Sequence, residues 1–148
     1  MLPMGSNTIL LVEDNPDDEW LILRALRKNN IANQISVVRD GAEALDFLFC
    51  KGAYIDRDPN DLPEVIFLDL RLPKMGGLEV LRIIRVDKRT SQLPVVILTS
   101  SDADEDLVNS YRFGANAFIR KPINFSQLIQ AIRQLGMTCV VLNEAPLF

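Results

Sequence analysis

Five positions carry side chains whose types belong together chemically: Glu13 and Asp14, Asp69, Thr99 and Lys121. Three carboxylates gathered in one place repel one another, and a hard divalent cation with oxygen ligands relieves that repulsion; Mg²⁺ fits this demand. A lysine adds a point charge and a threonine hydroxyl adds a hydrogen bond. Acids, Mg²⁺, Lys121 and the Thr99 hydroxyl are the groups that neutralise a phosphoryl group. Asp69 could itself be the nucleophile, forming an acyl phosphate. No Gly-rich loop ending in GK[ST] is present to cradle a nucleotide.

The elements that must position these groups are legible around them. Val65-Ile66-Phe67-Leu68 is a short continuous apolar run leading into Asp69. Such a run reads as a strand buried on both faces, so Asp69 stands at its C-terminal end. Thr8 to Val12 is a similar strand that runs into Glu13 and Asp14. Pro94 to Thr99 ends in Thr99, and Ala115 to Arg120 is followed by Lys121-Pro122. Ile35 to Val38 completes five strands. Helices are expected between them. Asn15 caps the first, with Pro16 in its first turn; Asp17, Asp18 and Glu19 complement its dipole, and Leu21, Ile22, Ala25 and Leu26 face inward until Asn29-Asn30. Ala42 to Phe49 is the second, with Ala44, Leu45 and Leu48 inward. The third runs from about Leu78 to Asp87. Ser101 or Asp102 caps the fourth, which Gly114 ends, and Phe125, Leu128, Ile129 and Ile132 mark the last. Lys51 to Pro63 reads as a long polar loop.

Alternating strands and helices imply an α/β fold: a doubly wound, five-stranded parallel sheet with helices on both faces. All the acidic and phosphate-friendly residues then fall at one edge of the sheet, where ligands bind in open α/β folds. The 148 residues suffice for one domain, read here as 1–148, with a core at about 7–136 and an apolar tail from Met137 to Phe148.

Composition removes several classes. A net charge of −4 argues against a general grip on nucleic acid. The absence of histidine excludes histidine triads, histidine metal sites and histidine phosphotransfer on this chain. No apolar run has the length of a membrane span, and the start lacks the basic and apolar regions of a signal peptide, so a cytoplasmic protein is expected. Cys50 and Cys139 stand apart and read as free thiols.

The segments that carry these residues resemble the receiver domains of two-component response regulators. The resemblance rests on Leu11-Val12-Glu13-Asp14-Asn15, Leu68-Asp69-Leu70-Arg71-Leu72-Pro73, Gly76-Gly77-Leu78-Glu79-Val80-Leu81, Val96-Ile97-Leu98-Thr99-Ser100-Ser101 and Ala117-Phe118-Ile119-Arg120-Lys121-Pro122, in that order. It implies a flavodoxin-like strand order 2-1-3-4-5 and a phosphoryl group accepted on Asp69 from a histidine kinase. It implies metal ligation by Glu13, Asp14, Asp69 and the Arg71 backbone carbonyl, phosphoryl-oxygen binding by Thr99 and Lys121, and switching through Thr99 and Phe118. On this reading the chain is a signalling receiver, with no chemistry beyond its own phosphorylation and dephosphorylation. No DNA-binding output domain is expected, so the signal passes through protein contacts. More narrowly, Val12-Glu13-Asp14-Asn15-Pro16-Asp17-Asp18 and the Tyr54 to Pro63 loop resemble single-domain regulators paired with cyanobacterial phytochrome kinases. Arg71 stands where that group has Asn; its side chain is expected to pair with Glu13 or to hang over the site.

Each functional reading has a plainer one beside it. Asp14 and Asp69 can be structural acids paired with Lys121, Phe118 can be core, and Asp17, Asp18 and Glu19 are read as surface acids. Leu107, Val108, Tyr111 and Phe113, with the apolar tail, are expected to form a homodimer face. Two other classes remain: an aspartyl-phosphate phosphatase, which wants an acid where Arg71 stands, and a flavodoxin-like cofactor binder, which wants a Ser/Thr/Gly-rich loop where Glu-Asp-Asn-Pro stands.

Overall fold

Burial of both faces of the sheet explains why the strands read as unbroken apolar runs. The computed structural model describes residues 8–28, 34–100, 104 and 114–135. Its strands are β1 (Thr8–Val12), β2 (Gln34–Val38), β3 (Val65–Asp69), β4 (Val95–Thr99) and β5 (Ala117–Arg120). They form one parallel sheet in the order β2-β1-β3-β4-β5, the order that the receiver-domain resemblance implies. Ile9, Leu11, Val65, Phe67, Val96 and Leu98 point to one face, and Leu10, Val12, Ile66, Leu68, Val95 and Ile97 to the other. β3 and β4 are buried at every position because both faces are covered. Truncating Phe67 to Ala in such a core costs about 3–5 kcal/mol.

Among the described residues, two helices cover each face. Ile22, Ala25 and Leu26 of α1 (Pro16–Lys28) and Leu128 and Ala131 of α4 (Phe125–Leu135) pack on the first. Ala44, Phe47 and Leu48 of α2 (Gly41–Phe49) and Val80, Leu81 and Ile84 of α3 (Gly77–Val86) pack on the second. The first helix starts as expected: Asn15 Oδ1 accepts from the backbone N–H of Asp17 at 2.8 Å and of Asp18 at 3.2 Å. In α2 the inward residue is Phe47, while Leu45 is only half-buried. β5 starts at Ala117, two residues later than expected; the Asn116 N–H donates to the Val95 carbonyl at 2.9 Å ahead of the strand.

Residues 51–63 are more than a polar loop. Gly52–Tyr54 forms a 3₁₀ turn. The Arg57 guanidinium lies 3.8 Å over the Phe47 ring and donates to the carbonyls of Phe47 and Asp61. The Tyr54 hydroxyl donates to Glu43 Oε2 at 2.6 Å, and its ring meets Phe47 edge-on. One arginine and one tyrosine thus fasten the segment to α2.

Cys50 is a buried free thiol. The expected fourth helix, the Asn29-Asn30 helix end, the Leu107 to Phe113 band, Cys139 and the tail lie outside the described residues. No helix among the described residues is long and apolar enough to cross a membrane.

Candidate functional site

Parallel register brings the strand ends to one edge. Val12 pairs with Leu68, Asp69 with Leu98, and Thr99 with Arg120. Glu13 and Asp14 follow β1 directly, Asp69 and Thr99 are the last residues of β3 and β4, and Lys121 follows β5. The Lys121 N–H donates to the Thr99 carbonyl at 2.8 Å, which fixes where its side chain starts. The five residues expected from sequence are therefore neighbours on one rim.

The rim is mostly buried. Glu13 is 0% exposed, Thr99 1% and Asp69 4%, whereas Asp14 is exposed. Lys121 is the charge that makes this tolerable. Its Nζ stands 2.9 Å from Asp69 Oδ2, 2.8 Å from Asp18 Oδ2 and 3.0 Å from Glu13 Oε1. The first two contacts are hydrogen bonds. The third is an ion pair by distance alone, and Glu13 Oε1 has no hydrogen-bond partner. Asp69 Oδ1 accepts from the Arg71 N–H at 3.0 Å, and Glu13 Oε2 accepts from the Asn15 N–H at 3.2 Å.

The electrostatics follow from this crowding. Burial, then the proximity of Asp69, pushes the Glu13 carboxyl up to about 8, with Lys121 only partly offsetting them. For Lys121, burial alone would lower the pKa, but the hydrogen bonds to Asp18 and Asp69 and the adjacent Glu13 carboxyl outweigh it and hold the ammonium well above its ordinary value. The rim therefore keeps a permanent cation among acids that resist ionising together.

Glu13, Asp14 and Asp69 each offer a carboxylate oxygen within 4.8 Å of the others, and they are the group among the described residues with that property. An oxygen-only donor set, a buried oxygen without a partner and an elevated Glu13 are what a hard divalent cation would satisfy, so the residues fit such an ion.

Two expectations need correction. Arg71 does not pair with Glu13. Its side chain is 71% exposed, and its guanidinium lies 3.5 Å from Asp104 Oδ2. Glu13 is fully buried with Lys121 already beside it, so the long arginine turns to the carboxylate it reaches without desolvation. Asp18 is not merely a surface acid, since it holds Lys121. Its four-residue separation from Asp14 was the available signal. Asp104, which stands outside the five candidate positions, accepts from the Thr99 hydroxyl at 3.3 Å, and nothing in the sequence marked that contact. Phe118 is half-buried opposite Ile97, against the second core face.

The family model for the response regulator receiver domain matches residues 9–133. Among solved structures, the bacteriophytochrome response regulator RtBRR is 46% identical with a TM-score of 0.88, covering 96% of this chain and 85% of its own. The bacteriophytochrome response regulator AtBRR is 49% identical with a TM-score of 0.85, covering 95% of this chain and 100% of its own. Response regulator Rcp1 from Synechocystis is 36% identical over 140 residues, 93% of each chain. The structure of its Mn²⁺-bound form aligns with a TM-score of 0.75 at 33% identity, covering 93% of this chain and 99% of that one.

Proposed function

We propose how this chain works from the premise that it belongs to the response regulator receiver domain family: Asp69 accepts a phosphoryl group from a sensor histidine kinase. An Asp69 carboxylate oxygen attacks phosphorus and a new P–O bond forms. The bond from phosphorus to the donor breaks, and the donor histidine nitrogen keeps its electron pair. Hydrolysis reverses the state: water attacks phosphorus and the Asp69 carboxylate leaves. The chain needs no catalytic activity beyond these two steps.

The observation that carries this reading is the 2.9 Å contact between Lys121 Nζ and Asp69 Oδ2 beside the acid cluster. A carboxylate that must attack an anion needs a fixed cation next to it, and Lys121 is held there by the end of β5. Lys121 and the Thr99 hydroxyl bind the phosphoryl oxygens. Glu13, Asp14, Asp69 and the Arg71 carbonyl hold Mg²⁺. When bound, the ion neutralises charge on the carboxylates and on the entering phosphoryl group. Removing Asp14 weakens that binding most, and calorimetry with Asp14→Ala measures it.

Phosphorylation then acts on Phe118. The Thr99 hydroxyl moves toward the phosphoryl group, and Phe118, on the neighbouring strand, fills the vacated space. Differential contacts in the two states shift the face around β5 and α4. The bacteriophytochrome relatives support a phytochrome-type kinase as the cognate partner. We read the chain as one receiver domain in the cytoplasm that binds no nucleic acid. Leu107, Tyr111 and the tail form the homodimer face; sedimentation of wild type and Tyr111→Glu tests that assembly, and an unchanged monomer in both ends it.

Intact-mass measurement after acetyl phosphate treatment tests the central claim. One Mg²⁺-dependent phosphoryl adduct is expected in wild type and none in Asp69→Asn. An adduct that persists in Asp69→Asn overturns the assignment.

A further inference from the structure

The two groups assigned above to the phosphoryl oxygens are already bonded to carboxylates. Lys121 donates to Asp18 Oδ2 at 2.8 Å, and the Thr99 hydroxyl donates to Asp104 Oδ2 at 3.3 Å. Neither acid belongs to the three-carboxylate cluster of Glu13, Asp14 and Asp69. We propose that Asp18 and Asp104 are internal stand-ins for the phosphoryl oxygens, occupying Lys121 and Thr99 until the phosphoryl group displaces them, and so set the strength of phosphoryl binding. The proposal rests on the reading that Asp69 is phosphorylated.

Crowding around the ammonium favours the displacement. Two of its three N–H donors are spent on Asp18 and Asp69, and Glu13 Oε1 stands 3.0 Å from the same nitrogen. An entering phosphoryl oxygen therefore competes with these oxygens for the ammonium. Asp69 is the group being esterified, and Glu13 is fully buried with nowhere to go. Asp18 sits in the first turn of α1 with its side chain 19% exposed. It alone of the three can turn to water at little cost, so it is the one that yields.

The Thr99 half has the same logic. A hydroxyl has one proton to give. At 3.3 Å the bond to Asp104 is long for O–H···O and therefore readily exchanged. Asp104 keeps a counter-ion when Thr99 leaves, because the Arg71 guanidinium is 3.5 Å from the same oxygen. Arg71 follows Asp69 by two residues, and its N–H is bonded to Asp69 Oδ1. One short segment thus joins the phosphorylated residue to the acid that must release Thr99. Holding carboxylates where anions will bind also keeps the lysine and threonine oriented in the unphosphorylated protein, so phosphorylation is an exchange of anions rather than an assembly of donors.

Titration of the Mg²⁺-saturated protein with beryllofluoride, a phosphoryl mimic, tests this by calorimetry. Asp18→Asn removes the competing charge at almost constant size and should bind the mimic about fivefold more tightly, the range of one part-buried ion pair. Asp104→Asn should gain about twofold. Asp18→Glu keeps the charge and should stay near wild type. Asp17→Asn removes the same charge one residue away, from an exposed position, and measures the general field effect. If Asp18→Asn and Asp104→Asn gain no more than Asp17→Asn, the proposal is overturned while the phosphorylation reading stands. If wild type does not bind the mimic, both fall. Thermal melting establishes that each variant is folded, and the two halves are independent, so loss of one variant leaves the other decisive.

Discussion

Two part-buried cations stand at opposite edges of the same sheet and are held in opposite ways. Lys121, at the C-terminal edge, is surrounded by the carboxylates of Glu13, Asp18 and Asp69. Arg85, at the end of α3 and the N-terminal edge, donates to the carbonyls of Ser91 at 3.1 Å, Leu93 at 2.6 Å and Gly114 at 3.3 Å, and to Asn116 Oδ1 at 2.7 Å. Burial lowers the Arg85 pKa, whereas its acidic neighbours raise that of Lys121. The guanidinium is a rigid fork that ties the chain entering β4 to the chain entering β5. The ammonium is a point charge whose partners can be traded without redirecting a fork. A cation held by backbone oxygens fastens the fold; a cation held by carboxylates is the one for which chemistry is proposed.

Swapping each cation for methionine should separate these roles most sharply. Lys121→Met should slow phosphorylation by acetyl phosphate on the order of 10²-fold, the scale of losing one charged donor at a reacting centre. Arg85→Met should leave that rate within about twofold, yet lower unfolding stability by about 1–3 kcal/mol, because its part-buried carbonyl acceptors lose a charged donor. Denaturant melts and adduct kinetics on both variants check the pair. If both variants lose stability alike and phosphorylation alike, the distinction collapses.

A pH series tests the acidic side of the same comparison. Glu13 holds its proton in the folded protein up to about pH 8, well above its unfolded value. The contribution is fully present below the unfolded pKa and is lost as pH rises through about 8. Metal-free wild type should therefore lose melting temperature from mildly acidic pH to pH 8 more steeply than Glu13→Gln, and Mg²⁺ should flatten the difference. Parallel curves would show that Glu13 is already ionised.

Arg57 offers a milder case of the structural kind. Replacing it with Met removes its hold on Phe47 and Asp61 and should cost about 1 kcal/mol, without touching phosphorylation. Smallest of all is the exposed Arg82–Glu79 pair on α3, where Arg82→Gln should leave the melting temperature unchanged. A measurable loss there would mean that solvent-facing charge on α3 contributes to the fold.

How much of this was legible follows the same division. Strand order, the edge that carries the site and all five principal residues were readable, because buried parallel strands are continuous apolar runs and their final residues stand out as the first polar ones. The Asn15 cap was readable from local chemistry. The partners of long side chains were not. Arg71, Arg57 and Arg85 each reach across several residues to atoms whose position only the fold determines, and Asp18 and Asp104 gain their roles from neighbours far away in the chain. Helix face assignment also slipped at Leu45 and Phe47, since a nine-residue helix with four large apolar residues in its last five offers more than one inward stripe.

Gly77 shows where the molecule tolerates no drift. A methyl group there would collide with the Asp69 carbonyl oxygen and lie 2.7 Å from Leu70 Cα. At Gly41 it would run into the Met75 carbonyl and lie 2.8 Å from Val80 Cγ2. Neither glycine carries a functional group. Gly77 lets α3 close directly against the backbone that carries Asp69, and Gly41 lets α2 close against Met75 and Val80. An alanine at position 77 would press on the main chain of Asp69 itself, so a residue with no functional group fixes where that carboxylate stands.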